Sequence, residues 1–151
     1  LSKWIMNIGT NFWFENLILM FQKEVADRII AKYNNSKYGR LSILTNWKLN
    51  VKKIIDIKPK SFSPRPKIDS SLLLFTPKEK IFELKDAKNL EMITRIFFSQ
   101  RRKMLKKPFN QIFTNAKEVA KKFNIDLNLR PQNLKPETYF KLTNEYENLR
   151  S

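Results

Sequence analysis

The sequence predicts an α/β fold in its first half and an all-helical second half. NLILMF at 16–21 has the continuous apolar character of a buried strand, and IDSSLLLFT at 68–76 reads as another strand. KEVADRIIAK at 23–32 places Val25, Ala26, Ile29 and Ile30 at helical spacing, with acids in the first turn. After Pro77 only helical periods recur, so residues 1–77 read as one unit and residues 78–151 as a second, helical one.

Each element can be placed in order. LSKWIMNI at 1–8 reads as the end of a helix stopped by Gly9. The run at 16–21 is apolar at every second position and between, which predicts a strand covered on both faces, as in a parallel sheet. NNSKYG at 34–39 is a turn cluster, and residues 40–48 predict a helix. VKKIIDI (51–57) and IDSSLLLFT predict strands joined by a proline-rich loop too short for a helical crossover, so they pair antiparallel. Asp86 is the expected N-cap of a long helix running to about Lys107, with Leu90, Ile93, Phe97 and Met104 as its apolar stripe and Pro108 as its stop. Shorter helices are expected near 109–114 and 116–123, with Asn124 as a left-handed cap. Pro136 opens a last helix carrying Tyr139, Leu142, Tyr146 and Leu149 on one face. Trp4, Trp13 and Trp47 are expected in the core.

A doubly wound sheet ordinarily opens with a glycine-rich turn at a helix N-terminus. The chain has two glycines, no G-x-G-x-x-G, and begins at Leu1. It therefore reads as the back half of a larger sheet domain.

Composition narrows the chemistry. The 151 residues are 42% hydrophobic and 13% aromatic, enough to build a core. There is no Cys, which removes disulfides, thiolate nucleophiles and cysteine metal sites, and no His, the commonest base near neutral pH. No metal site is expected. No apolar run approaches the ~20 residues of a membrane helix. Glu15 and Asn16 interrupt the only signal-like stretch, so a cytoplasmic location is expected. Net charge is +16, which points to a polyanionic partner such as nucleic acid. The 22 Lys beside 15 Asn can reflect coding bias, but the 8 Arg cannot, and guanidinium suits phosphate and base edges.

LMFQKEVADRI (19–29), SKYGRLSIL (36–44), FSPRPKIDSSLLLF (62–75) and FFSQRRKMLKK (97–107) together resemble the KsgA-type ribosomal RNA adenine dimethyltransferases, in order and spacing. The resemblance covers nearly the whole chain. It implies the back half of a Rossmann-like class I methyltransferase sheet ending in an antiparallel hairpin (1–77), and a helical RNA-binding domain (78–151). It also implies transfer of methyl groups from S-adenosylmethionine to the N6 amines of two adjacent adenines near the 3′ end of small-subunit rRNA. The partner would be the immature small ribosomal subunit, met by a monomer. The family's cofactor-binding glycine loop and its Asn-Leu-Pro-Tyr-type catalytic motif do not occur here, so neither catalytic nor cofactor-binding residues are expected in this chain, and it should not methylate alone. Two alternatives stand beside this reading: a large-subunit rRNA methyltransferase of the macrolide-resistance type, and a non-catalytic rRNA-binding or ribosome-assembly module. YGRLS and QRRK lean toward the small-subunit type.

An enzyme acting on a base must take it out of the stack and hold it between flat walls. The resemblance puts Phe62 at the pocket mouth, stacking on the extruded adenine, with Pro64 and Pro66 stiffening the loop. Read without the resemblance, Phe62 plugs the core beneath a hairpin. Arg65 and Lys67 could hold phosphates beside that base, Lys67 equally being a solvated tip. Asp69 and Ser70 are expected to fasten the turn to backbone. Arg101, Arg102, Lys103, Lys106 and Lys107 place more cations in seven residues than helix capping needs, which points to RNA backbone, most strongly for Arg101 and Arg102. Lys37 and Arg40 read equally as phosphate contacts or as turn residues, and Gln22, Lys23 and Glu24 as the opening of a helix.

Overall fold

The computed structural model describes residues 1–9, 11–61, 63–64 and 67–150. Its sheet has three strands, β1 (Leu17–Gln22), β2 (Leu49–Ile57) and β3 (Ser70–Pro77), in the order β1-β3-β2. β3 runs antiparallel to both neighbours, so β2 and β3 form the expected hairpin and β1 and β2 point the same way. A bulge between Lys53 and Ile55 shifts the register of β2.

One face of this sheet is covered. Leu19, Phe21, Leu49, Leu73 and Phe75 pack against Ile5 of α1 (Ser2–Asn7) and against Ala26 and Ile29 of α2 (Lys23–Ile30). On the other face Ile18, Met20, Ile54 and Ile55 are each about half exposed. Among the described residues β1 pairs with β3 alone, antiparallel, and no element lies across its second apolar face. The expected burial of Trp13 is corrected. It is 75% exposed, because Phe14 takes the inward position and Trp13 meets it only edge-on. Trp47 is buried, and its indole N–H donates to the Phe82 carbonyl at 2.7 Å.

α3 (Arg40–Lys48) connects the sheet to the helical part. Its Ile43, Leu44 and Trp47 join Leu90, Ile93 and Phe97 of α4 (Ala87–Phe98), Phe109 of α5 (Lys106–Ile112), Val119 of α6 (Ala116–Lys122) and Tyr139 of α7 (Pro136–Leu149) in the larger core. Phe97 stands at its centre, edge-on to Phe109 and Tyr139 at 5.6 and 5.3 Å. Lys48 is buried and donates to the carbonyls of Ile5 and Ile8, which fastens the end of α1 to α3.

Asp86 caps α4 as expected, accepting from the Lys88 amide. The expected length of that helix is corrected. α4 ends at Phe98, because the chain turns to bury Leu105, whose amide donates to the Leu129 carbonyl at 2.7 Å. Met104 is 54% exposed and leaves the stripe. Pro108 does not stop a helix. It sits in the first turn of α5, where its missing N–H removes no intrahelical bond. Asn124 is left-handed, at φ 54°, and Pro136 opens α7. At the far end of α7, the buried Glu147 accepts from the amides of Lys85 and Asp86 and from Asn89, tying the last turn of α7 to the first of α4.

Candidate nucleic-acid interface

In open α/β sheets ligands gather beyond the carboxyl ends of the strands. Here β1 leads directly into α2, and β2 leads into the proline-rich loop, so both follow carboxyl ends at the same end of the sheet. The Lys23 amide donates to the Asp69 carbonyl at 2.9 Å, joining the start of α2 to the end of that loop.

Within the loop, Pro59–Ser61 form a short 3-10 turn, and the Ser63–Pro64 peptide bond is cis. Pro64 and Lys67 are exposed. Phe62, Arg65 and Pro66 lie outside the described residues. The Asp69 carboxylate faces Lys58 at 3.7 Å, and among the described residues it accepts from no backbone amide.

The second part of the site is the turn between α2 and α3. Asn34 has a left-handed backbone, φ 71°, and is tied to the 3-10 turn Pro131–Asn133: its amide donates to Gln132 and its side chain accepts from Asn133. Tyr38 is fully buried and its hydroxyl donates to the Leu134 carbonyl at 2.7 Å. Burial pushes that hydroxyl far above the ordinary phenol value, so it acts as a neutral donor and not as an acid or base. Lys37 pairs with Asp27 at 3.2 Å, and Lys23 reaches the same carboxylate oxygen at 3.1 Å. Burial alone would raise the Asp27 carboxyl; hydrogen bonds from Lys23 and Lys37 outweigh it and hold the group below its ordinary value. Arg40 opens α3 and reaches the Glu91 carbonyl at 3.5 Å.

Arg28, Lys37, Arg40 and Arg101 line one groove of about 470 Å³, with Phe98, Leu41 and Gly39 on its walls and Glu24 at its edge. The sequence reading named Lys37, Arg40 and Arg101 but not Arg28 or Phe98. Arg28 carries no local signal beyond its i,i+4 pair with Glu24 at 2.9 Å, and Phe98 lies outside the apolar stripe expected for its helix. Arg101 enters from the loop after α4, its guanidinium donating to the carbonyls of Ser36 and Tyr38. Arg102, Lys103, Lys106 and Lys107 are all exposed, and none makes an ion pair among the described residues. Four of the expected cations therefore present unpaired charge to solvent, whereas Lys37, Arg40 and Arg101 are held by protein groups.

A family model described as ribosomal RNA adenine dimethylase matches residues 1–148. The chain belongs to the ribosomal RNA adenine dimethylase family. Among the curated relatives, the ribosomal RNA small subunit methyltransferase A of Pelagibacter ubique is 81% identical over 150 residues, which is 99% of this chain and 57% of the relative. The corresponding protein of a Wolbachia strain from Drosophila simulans is 45% identical over 96% of this chain and 52% of its own length. The chain thus spans about half the length of the curated relatives it matches. Among solved structures, a dimethyladenosine transferase from Plasmodium falciparum superposes with a TM-score of 0.73 at 28% identity, covering 89% of this chain and 58% of that one. The 23S rRNA methyltransferase ErmE shares the fold, with a TM-score of 0.59 at 16% identity. The α/β arrangement of this dimethylase-family chain is therefore the methyltransferase one. Among the described residues no helix is long and apolar enough to cross a membrane, and no group of acidic side chains could hold a metal ion.

Proposed function

We propose that the chain serves an S-adenosylmethionine-dependent adenine N6-dimethyltransferase acting on small-subunit rRNA near its 3′ end, within the immature small ribosomal subunit. The observation that carries this reading is the 81% identity to a small-subunit rRNA methyltransferase across 99% of the chain. The same likeness favours the small-subunit over the large-subunit alternative, since the ErmE resemblance is one of fold alone.

The chain's own part is to grip RNA and to receive the base. Arg102, Lys103, Lys106 and Lys107 neutralise phosphates, with Arg28, Lys37 and Arg40 around the neighbouring groove and Lys67 and Arg65 on the proline-rich loop. Phe62 stacks on the extruded adenine in a loop stiffened by Pro64 and Pro66. The methyl donor supplies an electrophilic methyl group, and the described residues do not fit it. Gly9 follows a helix and Gly39 precedes one, so neither opens a strand-to-helix turn of the kind that approaches a nucleotide-like cofactor.

The test is a comparison of binding and turnover in the full-length protein. Phe62→Ala should lower the initial rate of methyl transfer to immature small subunits about tenfold or more, the size expected for a lost base-aromatic stack. RNA affinity should fall far less. Equal losses in rate and affinity would remove the stacking role.

A further inference from the structure

Arg101 stands in the cationic run, yet its guanidinium is engaged inside the protein. One terminal nitrogen donates to the Ser36 carbonyl at 2.6 Å and to the Tyr38 carbonyl at 2.8 Å. Those two carbonyls flank Lys37. The guanidinium also lies 5.9 Å from the centre of the Phe98 ring, which meets Tyr38 edge-on at 6.1 Å. The turn is pinned from a second side as well, through Asn34 to Gln132 and Asn133 and through Tyr38 to Leu134. Arg102, the next residue, has no such partners among the described residues and is exposed. Two adjacent arginines thus sit in different physical situations. One grips the carbonyls on either side of a lysine; the other extends into solvent.

We propose that Arg101 is a positioning residue: it fixes the Ser36–Tyr38 turn so that Lys37 and Arg40 present their charges along the groove, and it contributes to RNA binding through them. The inference rests on the RNA-binding reading above and changes what Arg101 does within it. A phosphate ligand needs only positive charge, and lysine can replace arginine there. Reaching two carbonyls from one terminal nitrogen while the guanidinium lies over an aromatic ring uses both the length and the flat face of arginine, a combination that lysine's compact ammonium does not reproduce.

The experiment measures dissociation constants over a range of salt concentrations for the full-length protein and a transcript of the 3′-terminal segment of small-subunit rRNA. The variants are R101A, R101K, R102A, R102K, K37A and the R101A/K37A double. Amide exchange at Lys37 and Tyr38 is read in parallel. K37A should weaken binding about threefold in the wild-type background and have almost no further effect beside R101A, the coupling expected of residues that act as one unit. R101K should bind like R101A, whereas R102K should bind like wild type. Exchange at Tyr38 should accelerate about tenfold or more in R101A and stay unchanged in R102A. Additive losses for R101A and K37A, together with full recovery in R101K, would overturn the proposal. If R101A does not fold, R101K carries the same comparison: wild-type affinity and exchange in R101K overturn the proposal, and loss of both supports it. If R102A binds RNA like wild type, the RNA-binding reading fails instead. Exchange at Tyr38 then decides the clamp alone, and unchanged exchange in R101A overturns it.

Discussion

The turn at 34–40 and the run at 101–107 carry similar charge but manage it differently. In the turn, Lys37 is held by Asp27, Arg40 reaches the Glu91 carbonyl, and the backbone is fastened to the helical part through Asn34 and Tyr38. In the run, Arg102, Lys103, Lys106 and Lys107 extend into solvent with no ion pair among the described residues. A held cation gives a fixed direction at reduced net charge. An unheld one gives full charge and releases counterions when it meets a phosphate. A count of basic residues therefore does not measure an RNA surface: the first region orients and the second attracts. Arg101 belongs to the run by sequence and to the turn by contact.

The largest effect is expected at Tyr38. Tyr38→Phe leaves the Leu134 carbonyl without its buried donor, at a cost of about 1 kcal/mol. For a chain of this size that lowers the melting temperature by about 3 °C. Lys106→Ala, on the exposed run, should leave the melting temperature unchanged. Equal effects in a thermal melt would erase the distinction between the two regions.

Asp27 gives a smaller effect of opposite sign on binding. Asp27→Asn releases both Lys37 and Lys23, so RNA affinity should rise about twofold while stability falls slightly, as for a mostly solvent-facing pair. The pH dependence follows from the lowered Asp27 carboxyl. Its stabilising contribution is fully present above the ordinary value of 3.8 and is lost as pH falls through its lower folded value. An acid titration of wild-type protein should therefore show a loss of stability in that window that is smaller in Asp27→Asn. Identical titrations would show that the carboxylate does not restrain Lys37.

Much of the fold was legible because local signals and tertiary demands agreed. The helix at 40–48, the β2–β3 hairpin, the Asp86 cap, the left-handed Asn124 and the opening Pro136 each follow from short-range chemistry. The break after Phe98 was not legible. FFSQRRKMLKK is compatible with helix throughout, and only the burial of Leu105 against Leu129 turns the chain. β1 is apolar on both faces, and among the described residues only one of them is covered: an apolar pattern reports what a strand can bury, not what covers it. Within the candidate site, cationic residue types were readable but their roles were not. The carbonyls that Arg101 holds lie 65 and 63 residues away in sequence, and Arg28 reaches the same groove from another helix. No periodicity encodes such meetings.

The account stands or falls on whether the exposed run grips phosphate. The most direct measurement is the slope of the logarithm of RNA affinity against the logarithm of salt concentration, for wild type and for the Arg102→Ala, Lys103→Ala, Lys106→Ala, Lys107→Ala quadruple variant. Each lost phosphate contact should flatten that slope by about one unit, so the variant should be several units shallower with an unchanged melting temperature. A slope equal to that of wild type would contradict the account.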